Sequence, residues 1–420
     1  MKYIRKEIDG GIGITFVMDE KFKTGCLTVR FITKLGDDAA QNALGISVLN
    51  VTNSKCRSLT EFNEKLGMLF GASAGTFVRK RGDVQILGLS ASWVSSRYAL
   101  EDIATASQMI EIVRDCIFSP DAENGAFSDK PFRITKKDLL DHIGTEIDNK
   151  RNYALMKAAE TAFCGEPAGS ACYGTKEAAE KITASSAFEA YRKILETARV
   201  EIFFSLPYDR PDAIQPVIDG FTQMSRRPQD IDFRKISPAK EVSAEVREDM
   251  EMQQSKMVMV FKSGSEDVFA MKMMSIILGE SPVSRLFVNV REKMGLCYYC
   301  VSRFVSSKNT LMVDCGVSEK DTEKAKEAIA AQIEDISSGN ISDEDTDRAI
   351  ALLETSVESL GDSQSSYSGW YFESFCDGYS PEPEEYLAHF RSVTKERIAA
   401  AARSLVPDTV YILCGREGGK

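Results

Sequence analysis

Glu64-Lys-Leu-Gly67 runs on into Met68-Leu-Phe-Gly-Ala-Ser73, and about 228 residues later Glu292-Lys-Met-Gly295 runs on into Leu296-Cys-Tyr-Tyr-Cys-Val301. Further along, Val84-Gln-Ile-Leu-Gly-Leu-Ser90 stands against Met312-Val-Asp-Cys-Gly-Val-Ser318 at the same offset and without a gap. Chance aligns one tetrapeptide, but a register kept from one block to the next points to two homologous halves.

The pattern around these blocks repeats as well. An apolar alternating strand comes first in each half, Cys26-Leu-Thr-Val-Arg-Phe31 and Met257-Val-Met-Val-Phe261. Helical stretches follow, from Asn42 to Asn53 and from Asp267 to Leu278, then a second helix ending near the repeated glycine. Further strands lead to a longer amphipathic helix, marked by Ile103, Ile110, Val113 and Ile117 in one half and by Ile329, Ile333 and Ile336 in the other. Strands and helices without strict alternation predict an α+β fold, with helices packed on mainly antiparallel sheets. The polar, proline-bearing stretch from Ser225 to Val242 reads as an extended linker. The expected bounds are therefore 1–226, a linker at 227–242, and 243–420.

With 420 residues, 43% of them hydrophobic, the chain has enough apolar material for two cores. A formal net charge of -11 argues against nucleic acid as a partner, because phosphate binding needs a local excess of Lys and Arg. No run approaches the length of a membrane span, and Met1-Lys-Tyr-Ile-Arg-Lys-Glu-Ile-Asp-Gly10 lacks the apolar core of a signal peptide. A cytoplasmic protein without membrane partners is expected. The ten cysteines are scattered through a large chain, and they read as reduced, mostly buried thiols.

Three stretches resemble the pitrilysin/insulinase-type zinc metallopeptidases, a family that includes mitochondrial processing peptidase. Arg291-Glu-Lys-Met-Gly-Leu-Cys-Tyr298 is similar to the R-E-K-x-G-L-x-Y signature of the C-terminal domain. Leu278-Gly-Glu-Ser-Pro-Val-Ser-Arg-Leu-Phe287 resembles the segment that introduces it, and Tyr173-Gly-Thr-Lys-Glu-Ala-Ala-Glu-Lys-Ile-Thr183 resembles a G-T-x-E-x-I-x-x-[IL]-T segment. The resemblance implies two homologous domains forming a clam-shell chamber. It also implies an H-x-x-E-H motif on the first inner helix, where two His on adjacent turns bind zinc and the Glu is general base.

The matching segment here is Gly45-Ile-Ser-Val-Leu-Asn-Val-Thr52, in which Val48 and Thr52 stand for the histidines and Val51 for the glutamate. A valine has no lone pair to offer, and the chain holds only two histidines, His142 and His389. The later acidic helix matches Leu140-Asp-His-Ile-Gly-Thr-Glu-Ile-Asp148; His142 and Glu146, four apart, could share a helix face there, though a solvated face is the plainer reading. No cofactor is expected on this chain.

Arg291 and Tyr298 keep the spacing of the family's substrate-handling pair. In relatives the Arg holds a substrate carbonyl and the Tyr hydroxyl donates to the developing oxyanion. The alternative is a structural ion pair for Arg291 and strand packing for Tyr298. Asn63 and Phe70 occupy the equivalent positions of the first half, so that half has no such pair. The resemblance thus implies a non-catalytic subunit that binds peptide and lends Arg291 and Tyr298 to a zinc-bearing homologous partner with H-x-x-E-H. Without that partner a homodimer could form. A peptide-binding scaffold with no proteolytic role is the second reading.

Two other signals carry less. Cys297-Tyr-Tyr-Cys300 matches C-x-x-C, but on a regular strand its thiols point to opposite faces, which favours structural cysteines. Ser342-Asp-Glu-Asp345 reads as a helix cap with acids in the first turn rather than as a cation site.

Overall fold

The computed structural model describes residues 2–100 and 103–416; Met1, Glu101, Asp102 and residues 417–420 lie outside it, as does the side chain of Arg416. Thirteen strands are described: β1 Lys2–Ile8, β2 Ile12–Met18, β3 Thr24–Lys34, β4 Ser73–Arg81, β5 Val84–Val94, β6 Ala122–Glu123, β7 Ala126–Phe127, β8 Arg199–Leu206, β9 Ala244–Glu251, β10 Ser255–Ser263, β11 Cys297–Val305, β12 Thr310–Val317 and β13 Leu405–Arg416. They form a six-stranded sheet ordered β1-β2-β8-β3-β5-β4, a five-stranded sheet ordered β11-β12-β10-β13-β9, and the small β6-β7 ladder.

Set β1 aside, and the two large sheets have one topology. Reading from the far edge, β2-β8-β3-β5-β4 corresponds to β9-β13-β10-β12-β11. In each, the only parallel contact is the edge strand against its neighbour, β2 with β8 and β9 with β13, and the other pairings are antiparallel. The duplicated sequence is a duplicated α+β fold. The repeated Glu-Lys-x-Gly block leads in both halves to an edge strand, β4 or β11.

The chain divides into two compact units that interleave along the sequence. The first holds residues 1–145, 170–232 and 362–372; the second holds 146–169, 233–361 and 373–420. Each sheet thus recruits a helical segment from the other half of the sequence, an exchange that the contiguous bounds 1–226 and 243–420 do not anticipate. The division falls inside the Ser225–Val242 stretch, which has no regular structure. It is nonetheless tied down: the Gln229 amide donates to the Thr197 carbonyl in the first unit, and Lys240 reaches Asp408 at 2.7 Å in the second.

In the first unit, Leu27, Val29 and Phe31 of β3 and Val200, Ile202 and Phe204 of β8 enter a core closed by the Ala39–Ser47, Thr105–Phe118 and Ala184–Thr197 helices. Residues between them on β3 and β8 face the recruited segment 362–372 through mostly polar contacts. Gln364 donates to the Ser205 hydroxyl at 3.0 Å, Arg30 donates to the Ser368 hydroxyl at 2.7 Å, and Tyr371 stacks on Tyr3 at 4.5 Å.

The second unit is built differently on its equivalent face. Met257, Met259 and Phe261 of β10 enter the main core with the Val268–Gly279 helix. Val258 and Val260 meet Tyr411, Leu413 and the Ala154, Ala158 and Ala162 ridge of the Lys150–Ala162 helix. Both faces are dry along Met257–Phe261, so this part of β10 is continuously apolar rather than alternating. Among the described residues, no helix is long and apolar enough to cross a membrane.

Candidate functional site

The Ala39–Ser47 helix tightens into a 3-10 turn at Val48–Asn50, where the metal motif would lie. Val48 is 1% exposed and belongs to the apolar core, Val51 is half-buried, and Thr52 is buried. The Thr52 hydroxyl has no hydrogen-bond partner among the described residues. One short hydroxyl beside two valines supplies neither the imidazoles nor the carboxylate that zinc and its water require, and these residues do not fit the metal.

The second place where ligands could gather also fails. The Asp129–Thr145 helix ends before Glu146, which opens a 3-10 turn at Glu146–Asp148, so the four-residue spacing from His142 does not lie on one α-helical face. His142 is exposed and meets the Tyr173 ring edge-on at 5.1 Å. Among the described residues, no group of three or more His, Cys, Asp or Glu is placed to hold a metal ion.

Arg291 and Tyr298 lie at the corner that feeds β11. Leu286–Lys293 is wound as a π-helix, and Gly295, at φ 63°, turns the chain into the strand. The Arg291 guanidinium lies 4.4 Å from the Phe287 ring centre and 5.9 Å from that of Tyr298. It makes no ion pair among the described residues. Two aromatic rings therefore lie beside the guanidinium, an arrangement that suits guanidinium better than ammonium.

Tyr298 is 74% exposed, and the ladder explains why. Cys297 sits opposite Val317 and Tyr299 opposite Gly316, so Tyr298 is the unpaired residue of a β-bulge. The π-helix and the bulge each add a residue to a regular element, and both sit beside this pair. Such insertions concentrate at functional sites, where they re-aim side chains. Among the described residues Arg291 has no ion-pair partner, and the Tyr298 ring is largely exposed.

The bulge also corrects the expectation for C-x-x-C. By adding one residue between them, it returns Cys297 and Cys300 to the same face of β11, and Cys300 lies directly opposite Cys315. All ten cysteines are unbridged. Ser342 does cap a helix: it accepts from the Asp345 amide, and the Asp345 carboxylate answers to the Ser342 amide. Neither the π-helix nor the bulge carries a sequence signal; only the Gly295 turn and the Arg/Tyr spacing were visible beforehand.

The repeat-equivalent corner of the first unit has neither insertion. The Leu59–Met68 helix is regular and capped by Ser58; Asn63 is exposed on it. Phe70 and Gly71 turn the chain with φ of 58° and 76°, and β4 pairs with β5 in unbroken register.

Residues 181–353 match the family model described as "Peptidase M16 inactive domain". The whole chain aligns with the whole of a Bacillus subtilis protein named "Probable inactive metalloprotease YmfF", at 24% identity over 425 residues. Among solved structures, a conserved protein from Enterococcus faecalis superposes with a TM-score of 0.88 at 24% identity, covering 100% of both chains. A peptidase M16 inactive domain from Pseudomonas fluorescens superposes with a TM-score of 0.78 at 16% identity, again over 100% of both.

Proposed function

We propose that this chain, which is similar to M16-type peptidases named as inactive, serves as the non-catalytic subunit of a heterodimeric peptidase. It binds peptide and presents Arg291 and Tyr298 to the active site of a homologous, H-x-x-E-H-bearing partner. The observation that supports this reading is the Arg291–Tyr298 corner: a guanidinium held by rings but not ion-paired among the described residues, beside an exposed phenol on a bulge.

The residues have complementary roles in this reading. The Arg291 N–H edge donates to a peptide carbonyl and sets the substrate's register. The Tyr298 hydroxyl donates to the oxygen on which charge develops as the scissile carbonyl is attacked. β11 is an edge strand, so its outer ladder groups can take up an extended peptide alongside the pair.

The test is peptidase activity against a mixed peptide library for this chain alone, for a zinc-bearing homologue alone, and for both together. Activity only in the mixture, lowered about 10²–10³-fold by Tyr298→Phe, is the expected result. No gain on mixing overturns the subunit reading and leaves a peptide-binding scaffold, which the word "inactive" in the names of the family model and the Bacillus relative equally suits.

A further inference from the structure

The three thiols on the core side of the β11–β12 pair form a graded row. Cys297 is half-buried at the start of β11, while Cys300 and its cross-strand neighbour Cys315 are each 1% exposed. The bulge at Tyr298 creates the row, since a regular strand would send Cys297 and Cys300 to opposite faces. Cys300 and Cys315 belong to the apolar core, and Cys297 packs against its rim.

We propose that Cys297 is a peroxide-oxidisable thiol and that Cys300 resolves it to a reversible Cys297–Cys300 disulfide. Accessible and inaccessible thiols are paired here in the order such chemistry needs, with a reactive sulfur at the rim and a second one behind it. The electrostatics agree. The neighbouring Cys300 thiol, and then the charge of Arg291, draw the Cys297 thiol below its ordinary range against the effect of burial. The neighbouring thiols of Cys297 and Cys315, together with burial, push the Cys300 thiol well up.

The chemistry balances with hydrogen peroxide as the oxidant. The Cys297 thiolate attacks one peroxide oxygen; an S–O bond forms, the O–O bond breaks, and the departing hydroxide takes a proton to become water. The Cys300 sulfur then attacks that of Cys297; the S–S bond forms, the S–O bond breaks, and the oxygen leaves as water with the Cys300 proton. Two thiols lose two electrons and the peroxide gains them, giving one disulfide and two waters. Because Tyr298 lies between the two cysteines, closing this link reshapes the bulge that presents it. That consequence rests on the peptide-handling reading above, whereas the thiol chemistry does not.

The experiment therefore uses the full chain without any partner. Reduced protein is exposed to a small excess of hydrogen peroxide, its remaining thiols are blocked with iodoacetamide, and digested peptides are weighed over time. The expected result is early loss of alkylation at Cys297 and Cys300 together, as a linked pair that dithiothreitol reopens. Cys164, exposed but outside this row, should oxidise about tenfold more slowly. In Cys300→Ser, dimedone should trap the unresolved sulfenic acid on Cys297. Should that variant fail to fold, the wild-type time course still decides. Faster oxidation of Cys164 with Cys297 still alkylated, or a Cys300–Cys315 product, overturns the proposal. Failure of the mixed-peptidase assay leaves this result untouched, so the two ideas fall separately.

Discussion

Val48–Thr52 in the first unit and Arg291–Tyr298 in the second mark two fates within one duplicated fold. The first stretch has been absorbed into the core: its leading valine is fully enclosed, and its threonine hydroxyl is stranded. The second is held open by a π-helix and a bulge that leave a guanidinium edge and a phenol in reach of solvent. An apolar stretch is closed by packing, whereas a bulge keeps irregular geometry that packing alone would not select.

The largest effect that could break this contrast is on rate. With a zinc-bearing homologue present, Arg291→Ala should lower peptidase activity about 10²-fold while shifting the denaturation midpoint little, because no ion pair among the described residues is lost. A large stability loss with unchanged activity would place Arg291 in the fold instead. The counterpart at the first-unit corner, Phe70→Tyr, should add no activity, since no bulge presents that ring.

Next is an attempt to reopen the closed stretch. Val48→His should destabilise by about 2–4 kcal/mol, because an imidazole enters a dry cluster without partners. The triple variant combining Val48→His, Val51→Glu and Thr52→His, which rebuilds the motif's residue types, should still bind no zinc tightly in equilibrium dialysis. Tight binding with retained stability would show the stretch to be merely unfurnished rather than closed.

A smaller effect sharpens the difference between the two recruited helical faces. In the second unit Asp408 is fully enclosed and takes Lys240 at 2.7 Å and Lys262 at 3.3 Å. Despite burial, which raises it, hydrogen bonds from Lys240 hold its carboxyl below the ordinary range. A group depressed in the folded state stabilises above its unfolded pKa of about 4 and loses that contribution as pH falls through its folded value. Amide protection of β10 and β13 should therefore drop below about pH 4, and Asp408→Asn should cost about 1–3 kcal/mol at neutral pH and flatten that dependence. The smallest change is Thr52→Val, expected to be neutral or to stabilise by up to about 1 kcal/mol, read as a denaturation midpoint.

Much of this was legible in the residues. The two-block repeat led to the duplicated sheet order, and Asp267 to Leu278 foretold the Val268–Gly279 helix almost to the residue. Periodicity can do this because it reports which face of a local element is dry. It cannot report which distant segment does the drying, and so the exchange of 146–169 and 362–372 between units went unseen. The same limit explains β10, read as alternating when both faces are covered. At the candidate site, residue spacing was visible but geometry was not: a bulge is a property of two paired strands, and Cys297 changes face only through its partner Val317.

The interleaving of the two units sets a timetable for synthesis. The first unit's sheet is complete in the chain by residue 232, but the segment that covers its second face ends at residue 372. At a ribosomal rate of roughly 5–20 residues per second, those strands wait roughly 7–28 s with Tyr3 and Phe203 uncovered. During that interval the nascent protein is a client for whatever binds exposed sheet faces, and a premature stop between the two halves would release it in that state.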